Sequence, residues 1–148
     1  TPGHNVQAHI NEALQAWAGA NMKTVRYIQK GENNRCEMYS CFKAEVPLPE
    51  DPSTGLNKLL VEELRNGDPV VGGGGRVLIA GQALSHCVNH SARDLAAAWP
   101  AGRMADLCLL ADCTSPVPGF DAAAEAFVAD MRAVGVTVTD SASVLAAS

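Results

Sequence analysis

The sequence predicts an α/β fold in three layers, with helices on both faces of a mainly parallel sheet. Short apolar segments alternate with stretches of helical periodicity, which is the element order of βαβ units. These segments are continuously apolar rather than alternating, as is typical of strands buried on both faces. The 148 residues, 47% of them hydrophobic and 18% charged, fit one globular domain over residues 1–148.

Composition and charge exclude several classes of function. The net charge of −5 offers no electrostatic attraction to nucleic acid or to an anionic membrane. No apolar run approaches the roughly 20 residues that cross a bilayer, and no signal-peptide pattern opens the chain. The five cysteines, an odd number without a tight framework, favour reduced thiols in a cytoplasmic protein over a disulfide scaffold.

The first elements are expected to be a helix and a short strand. Asn5 is positioned to cap a helix that runs to about Ala20. Its predicted apolar face consists of Val6, Ile10, Ala13, Leu14 and Trp17. Thr24–Gln29 is rich in β-branched and aromatic residues and predicts a strand, which places Lys30 at the carboxyl edge of a sheet.

A loop, a second helix and a connector follow. Residues 31–53 are polar and contain three prolines, so they predict mostly loop. Thr54 is expected to cap a helix to about Arg65. Gly72–Gly75 lacks the Lys and Ser/Thr of a phosphate-binding loop and is interpreted as a flexible connector.

The central unit is a buried strand at Val77–Gly81 and a helix over about 86–98. An apolar stripe at helical spacing predicts the side of the helix that packs on the sheet, and it consists of Val88, Ala92, Leu95 and Trp99. Cys87 lies off that stripe, on the side shared with Ser91 and Asp94. Cys87 is therefore not simply a core residue of this helix.

The last third of the chain continues the alternation of strands and helices. Leu107–Ala111 predicts a buried strand, and residues 112–119 a loop at its carboxyl end. Asp121 opens a helix that ends before Gly135. The residues expected to point inward from this helix are Ala124, Phe127, Met131 and Val134. The final elements are a strand at Val136–Thr139 and a helical turn at Ser141–Ala147.

Cys87 stands where a helix begins, and this gives it a physical reason to be reactive. The first-turn N–H groups are unpaired and the helix dipole is positive there, so a thiolate is favoured over a thiol. Ligands of parallel sheets bind at the carboxyl edge, where Lys30, the 82–87 turn and the 112–119 loop are expected to meet. Lys30 is then either a solvated strand-end lysine or the cation that keeps the thiolate ionised.

The other cysteines and histidines give weaker signals. Cys36, Cys41, Cys108 and Cys113 are interpreted as inert thiols. His86 adjoins Cys87, but neighbours on a helix do not face each other, so a Cys–His pair is not expected. No spacing of cysteines and histidines matches a common zinc site, so no metal site is expected within this chain.

The residues around Cys87 carry a family resemblance. Residues 79–88, Ile-Ala-Gly-Gln-Ala-Leu-Ser-His-Cys-Val, with Ser-Ala-Arg-Asp at 91–94, resemble the nucleophile motif of the isochorismatase-like cysteine hydrolases, and most of all the nicotinamidases. Residues 28–31 and 38–42 resemble the lysine strand of that family and the aromatic-containing loop after it. Residues 109–112 and 131–136 resemble its closing strand and helix.

The resemblance implies a mechanism and a set of site residues. Cys87 would attack an amide carbonyl, ammonia would leave, and water would hydrolyse the thioester. Lys30 would be the second member of the catalytic triad. A cis peptide is expected between Gln82 and Ala83, with the N–H groups of Ala83 and Cys87 as the oxyanion hole, and Tyr39 would line the substrate pocket. The reaction would convert nicotinamide to nicotinate in NAD salvage.

The sequence also departs from the family pattern. The family's catalytic aspartate and its Asp-x-His metal motif lie before the region seen here, and Thr1-Pro-Gly-His resembles the segment that follows the last metal-binding histidine. In the family strand order 3-2-1-4-5-6, the strands here would be the third to the sixth. We therefore expect the amino-terminal part, with two central strands and a divalent metal such as Zn, to come from a missing segment or another chain. No metal is expected on this chain alone.

Three functions remain open from the sequence. The first is a nicotinamidase-like amidohydrolase, acting on a small amide as a homo-oligomer. The second is a related hydrolase of N-carbamoyl or ureido compounds. The third is a catalytically inactive fragment or interaction module, and the only argument for it is the missing aspartate.

Overall fold

A computed structural model describes residues 6–67 and 75–147. Helices and strands alternate from the middle of the chain onward, in the order α1 (Ala8–Asn21), α2 (Lys58–Asn66), β1 (Val77–Gln82), α3 (Cys87–Ala98), β2 (Leu107–Ser115), α4 (Asp121–Ala133), β3 (Thr137–Thr139) and α5 (Ser141–Ala146). Two short 3₁₀ segments lie at Pro52–Thr54 and Ala101–Asp106. The expected cap at Asn5 and most of the Gly72–Gly75 connector lie outside the described residues.

The three strands form one parallel sheet in the order β1-β2-β3. Leu78 lies opposite Cys108, and Cys108 lies opposite Thr137. Helices α3 and α4 make the two crossovers, because parallel neighbours need a long return connection. The prediction of a parallel α/β sheet flanked by helices is confirmed.

The core lies between the sheet and its helices. Leu95 of α3, Phe127 of α4 and Leu107 and Leu109 of β2 are among its fully buried side chains. The predicted stripe of α3 is confirmed, since its four members are all buried: Val88, Ala92, Leu95 and Trp99. This packing fixes the rotation of α3 and turns Cys87 away from the core.

The strand predicted at Thr24–Gln29 is wrong, because the structure has no strand there. A strand depends on hydrogen bonds to a neighbour, and within the described residues this segment joins no sheet. The propensity for extended structure is local, whereas the partner has to come from elsewhere in the fold.

The two main strands also differ from their predictions. β1 was expected to be buried, but its residues alternate between partly buried and exposed, and Leu78 is 47% exposed. Within the described chain β1 pairs on one side only, so one edge is open. β2 continues to Ser115, where residues 112–115 were expected to be loop. Their pairing with the end of β1 explains the extension.

Helix ends show smaller corrections. Thr54 does not cap α2, since it ends a 3₁₀ turn, and Asn57 Oδ1 instead accepts from the N–H of Leu60. No residue of α1 is buried within the described structure, so its predicted apolar face has no core to cover. Val134 is 49% exposed and does not point inward. In the part of the chain that the structure describes, no helix is long and apolar enough to cross a membrane.

Candidate active site

The turn after β1 brings Cys87 to the carboxyl edge of the sheet. The peptide bond between Gln82 and Ala83 is cis, the geometry that the family resemblance implied. The carbonyl of Ala83 accepts from the N–H groups of His86 and Val88, which curls the chain directly into α3. Cys87 is the first residue of α3, so its N–H belongs to the first turn, where helical N–H groups lack intrahelical acceptors.

Lys30 reaches Cys87 from a distant part of the chain. Its Nζ lies 3.5 Å from Cys87 Sγ. The same ammonium donates to the carbonyl of Met38 at 2.9 Å and to the carbonyl of Tyr39 at 2.8 Å. Of the two interpretations left open for Lys30, this geometry favours the cation beside the thiol over a freely solvated side chain.

Side chains on α3 bind the loop that carries those carbonyls. Ser91 Oγ accepts from the backbone N–H of Cys41 at 3.1 Å. Two side-chain contacts join the same surfaces: the Lys43–Asp94 ion pair at 3.2 Å and the approach of His90 Nδ1 to Glu45 Oε2 at 2.9 Å. The side of α3 that carries Cys87, Ser91 and Asp94 therefore faces the 38–45 loop, while the apolar stripe faces the core.

A cluster of ring contacts forms around Tyr39 and His86, the residue before Cys87. The ring of Tyr39 lies 5.8 Å from that of His86 and 5.2 Å from that of His90, centroid to centroid. The ring of Phe120 meets His86 edge-on at 4.7 Å. His86 Nδ1 pairs with Ser85 Oγ at 2.8 Å. The imidazole of His86 thus contacts Tyr39, Phe120 and Ser85.

The ends of β1 and β2 meet beneath this turn. Ser115 Oγ donates to Gln82 Oε1 at 3.0 Å, and the carbonyl of Ser115 accepts from the N–H of Leu84 at 2.8 Å. The buried hydroxyl of Ser85 accepts from the N–H of Val117 at 3.0 Å. The 82–87 turn and the segment after β2 thus come together at the predicted edge.

An open groove leads to Cys87. It has a volume of about 720 Å³ and is lined by Lys30, Tyr39, Cys87 and Ser91 at one end and by the edge of β1 along its length. A second groove of about 1160 Å³ continues from Leu78 past Ile28 and Trp17. Together they separate the 24–30 segment from β1, where the expected strand order places two further strands.

The other thiols have different surroundings. Burial raises the pKa of the Cys41 thiol, and a hydrogen bond with the Ser91 hydroxyl opposes that shift only in part. Cys108 is fully buried and Cys113 is exposed. All five cysteines are free. Cys87 differs from these four by its place at a helix start beside a lysine ammonium.

The described residues do not assemble a metal site. Within them, no group of three or more His, Cys, Asp or Glu side chains is placed to hold a metal ion. The donor set therefore does not fit the divalent metal that the resemblance implies, and that metal stays a prediction about a segment outside this chain.

The parallel sheet with its crossover helices gives the chain an α/β fold that it shares with a solved nicotinamidase. Among solved structures, it is similar to the yeast nicotinamidase Pnc1p, with a TM-score of 0.56 and 20% sequence identity over 87% of this chain. The chain spans about half, 51%, of that nicotinamidase. No protein-family profile matches the sequence, and no curated protein does.

Sequence reasoning missed three parts of the site. The carbonyls of Met38 and Tyr39 have no side-chain signal, because every residue carries a carbonyl. Phe120 reaches His86 through a loop whose course the sequence does not encode locally. Ser91 did carry a signal, since it lies one helical turn after Cys87, and residues four apart share a helix face.

Proposed function

We propose that this chain carries the nucleophile of a cysteine hydrolase that cleaves the C–N bond of a small amide. Within that class, the proposed substrate is nicotinamide. The observation that supports this most is the approach of Lys30 Nζ to Cys87 Sγ, 3.5 Å, at the first turn of α3. A lysine cation and a helix start both favour the thiolate, which is the nucleophilic form of cysteine.

The proposed reaction has two halves. The Cys87 thiolate attacks the carbonyl carbon, a C–S bond forms, and the carbonyl oxygen becomes an oxyanion within reach of first-turn N–H groups such as that of Cys87. The C–N bond then breaks, and the nitrogen leaves as ammonia after taking the proton that the Cys87 thiol released to solvent when it ionised, which leaves a thioester. Water adds to the thioester and the C–S bond breaks, giving the carboxylic acid and the Cys87 thiol, which ionises again for the next cycle.

An aromatic side chain near Cys87 supports an aromatic amide such as nicotinamide. Tyr39 lines the groove that leads to Cys87, and planar aromatic ligands pack well against such rings. The likeness to a solved nicotinamidase supports the same substrate. N-carbamoyl and ureido compounds remain the alternative substrates, because they place the same kind of C–N bond before the thiol.

The amide substrate is tested by ammonia release. Purified protein, expressed from the whole gene, is expected to release ammonia from nicotinamide, and Cys87→Ala is expected to abolish this. Cys113→Ala is the matched control, because Cys113 is exposed and its thiol bonds the Asp112 carboxylate instead of Lys30. No turnover of nicotinamide, N-carbamoyl or ureido substrates by that protein would reject the proposed function.

We further propose that a polypeptide segment fills the groove between the 24–30 segment and β1, either the part of the protein before Thr1 or another chain. The open edge of β1, the exposed Leu78 and the grooves of about 720 and 1160 Å³ support this. An exposed strand edge presents unpaired N–H and C=O groups to a further strand. The proposed segment would bring the aspartate and the metal of the family.

The coding sequence upstream of Thr1 tests the origin of that segment. An Asp-x-His motif within two further strand patterns would support the proposal. An unrelated domain there, together with an isolated chain that stays monomeric and binds no other chain, would contradict it. Sedimentation of the purified protein also tests whether it is a homo-oligomer.

We also propose a reducing, cytoplasmic location, which the five free thiols support.

An inactive interaction module is the second candidate, and the open β1 edge is the observation that favours it. A structural Cys87 and an activated Cys87 differ in reactivity at mildly acidic pH, because the thiolate is the form that reacts. Slow alkylation of Cys87 at pH 6, with no ammonia release, would favour the module over the hydrolase.

A further inference from the structure

Cys87 and Lys30 are connected in two ways: directly, and through a longer path that passes by Ser91 and the backbone of residues 39–41. Cys87 and Ser91 lie one turn apart on α3. Ser91 Oγ accepts from the N–H of Cys41 at 3.1 Å, two residues after Tyr39. The carbonyl of Tyr39 accepts from Lys30 Nζ at 2.8 Å, and that ammonium returns to Cys87 Sγ at 3.5 Å.

The position of the Lys30 ammonium is set by backbone carbonyls. An ammonium group has three N–H donors. The carbonyls of Met38 and Tyr39 take two of them at 2.9 and 2.8 Å, which leaves the third for Cys87. A displacement of these carbonyls relative to α3 therefore moves the ammonium relative to the thiol.

Ser91 is the α3 side chain that binds the backbone of this loop close to those carbonyls. The Lys43–Asp94 and His90–Glu45 pairs attach side chains further along the loop and are partly exposed. Lys43 is 41% and Asp94 18% exposed, and His90 is 38% and Glu45 32% exposed. Exposed ion pairs contribute little to position or stability. By contrast, loss of the Ser91 hydroxyl leaves a partly buried backbone N–H without its acceptor.

We propose that Ser91 is a positioning residue: by holding the N–H of Cys41, it keeps the Met38 and Tyr39 carbonyls where they direct Lys30 at Cys87. This inference rests on the proposed function in one respect, that Cys87 acts as a thiolate. It assigns Ser91 no contact with the substrate. Its effect is on the thiolate fraction of Cys87, and it passes through Lys30.

The test measures the rate at which iodoacetamide alkylates Cys87 at pH 6, followed by mass spectrometry of the Cys87 peptide in the full chain. Ser91→Ala is expected to slow the reaction severalfold, and by no more than Lys30→Met does, because the effect passes through the position of the Lys30 ammonium. The matched pair Ser91→Thr and Ser91→Val have the same shape and differ in the hydroxyl. Thr is expected to retain the rate of the unmodified chain and Val to reproduce the loss.

A double-mutant cycle separates positioning from a general structural role. In a Lys30→Met background, Ser91→Ala is expected to cause no further slowing, because the ammonium that it positions is gone. The same fold loss with and without Lys30 would overturn the inference. Circular dichroism confirms that each variant is folded, and the Thr/Val pair serves as the test if Ser91→Ala does not fold.

Asp94→Asn is the control on the same face of α3. It breaks the Lys43–Asp94 pair, and the loss of a negative charge cannot lower the thiolate fraction. We expect no slowing, and slowing as large as that of Ser91→Ala would overturn the specific role of Ser91. Slow alkylation of Cys87 in the unmodified chain would overturn both this inference and the activated thiolate, whereas fast alkylation without coupling to Ser91 would overturn this inference alone.

Discussion

Lys30 and Cys87 are 57 residues apart in the chain, yet the Nζ of one lies 3.5 Å from the Sγ of the other. The contact brings together the 24–30 segment, which pairs with no described strand, and the first turn of α3. The carbonyls of Met38 and Tyr39 accept hydrogen bonds from the ammonium and direct it at the thiol. Within the described residues, the segment that carries Lys30 is not part of the sheet.

The first prediction concerns the charge of Lys30. Lys30→Met is expected to slow alkylation of Cys87 at pH 6 severalfold, because it removes the ammonium that lies 3.5 Å from the thiol sulfur and favours its reactive anionic form. Lys58→Met is the matched control, since Lys58 is exposed on α2. Equal rates in Lys30→Met and the unmodified chain would show that the contact does not affect the thiol.

The second prediction compares Cys41, which lines the same groove as Cys87, with the exposed Cys113. Burial raises the pKa of Cys41, so its thiolate fraction at neutral pH is low and grows only as the pH rises further. In a Cys87→Ser variant, Cys41 is expected to alkylate more slowly at pH 8 than the exposed Cys113. Peptide mapping measures both rates in one sample, and a Cys41 faster than Cys113 would contradict the assignment.

Local signals in the sequence were sufficient for α3 and for its cysteine. The stripe of Val88, Ala92, Leu95 and Trp99 predicted which side is buried, and the start of the helix at Cys87 followed from the turn before it. Both depend on neighbours within a few residues. The family resemblance added the cis bond between Gln82 and Ala83, which no local periodicity encodes.

Features that depend on distant partners could not be predicted in the same way. The 24–29 segment has strand propensity but no described neighbour to pair with. Residues 112–115 of β2 are polar, and they extend the strand only because the end of β1 lies beside them. The bond from Cys41 to Ser91 joins a loop to a helix 50 residues later, so its existence follows from the fold alone.

The third prediction concerns the core beneath α3. Leu95 is 2% exposed, and Leu95→Ala is expected to lower the free energy of unfolding by about 2–5 kcal/mol, the usual cost of a cavity in a packed core. Leu59→Ala is the matched control, because Leu59 is 70% exposed, and it is expected to change the stability by less than about 0.5 kcal/mol. Urea denaturation measures both, and equal losses would contradict the assigned packing.

The last prediction concerns pH and the end of β2. Ser141 donates to the Asp112 carboxylate through its N–H at 2.9 Å and its hydroxyl at 2.5 Å, and these bonds hold the pKa of Asp112 below its usual 3.8. A carboxyl whose pKa is lowered on folding stabilises the native state above its unfolded pKa. That contribution is lost as the pH falls through the lower, folded pKa.

Ser141→Ala is therefore expected to lower the urea midpoint at pH 7 and to have no such effect once the pH is well below 3.8 and Asp112 is protonated. Ser143→Ala is the control in the same helix, because the bond of Ser143 to Asp140 uses its backbone N–H, which alanine retains. A loss in Ser141→Ala that is equally large at both pH values would mean that the hydroxyl does not act through the Asp112 charge.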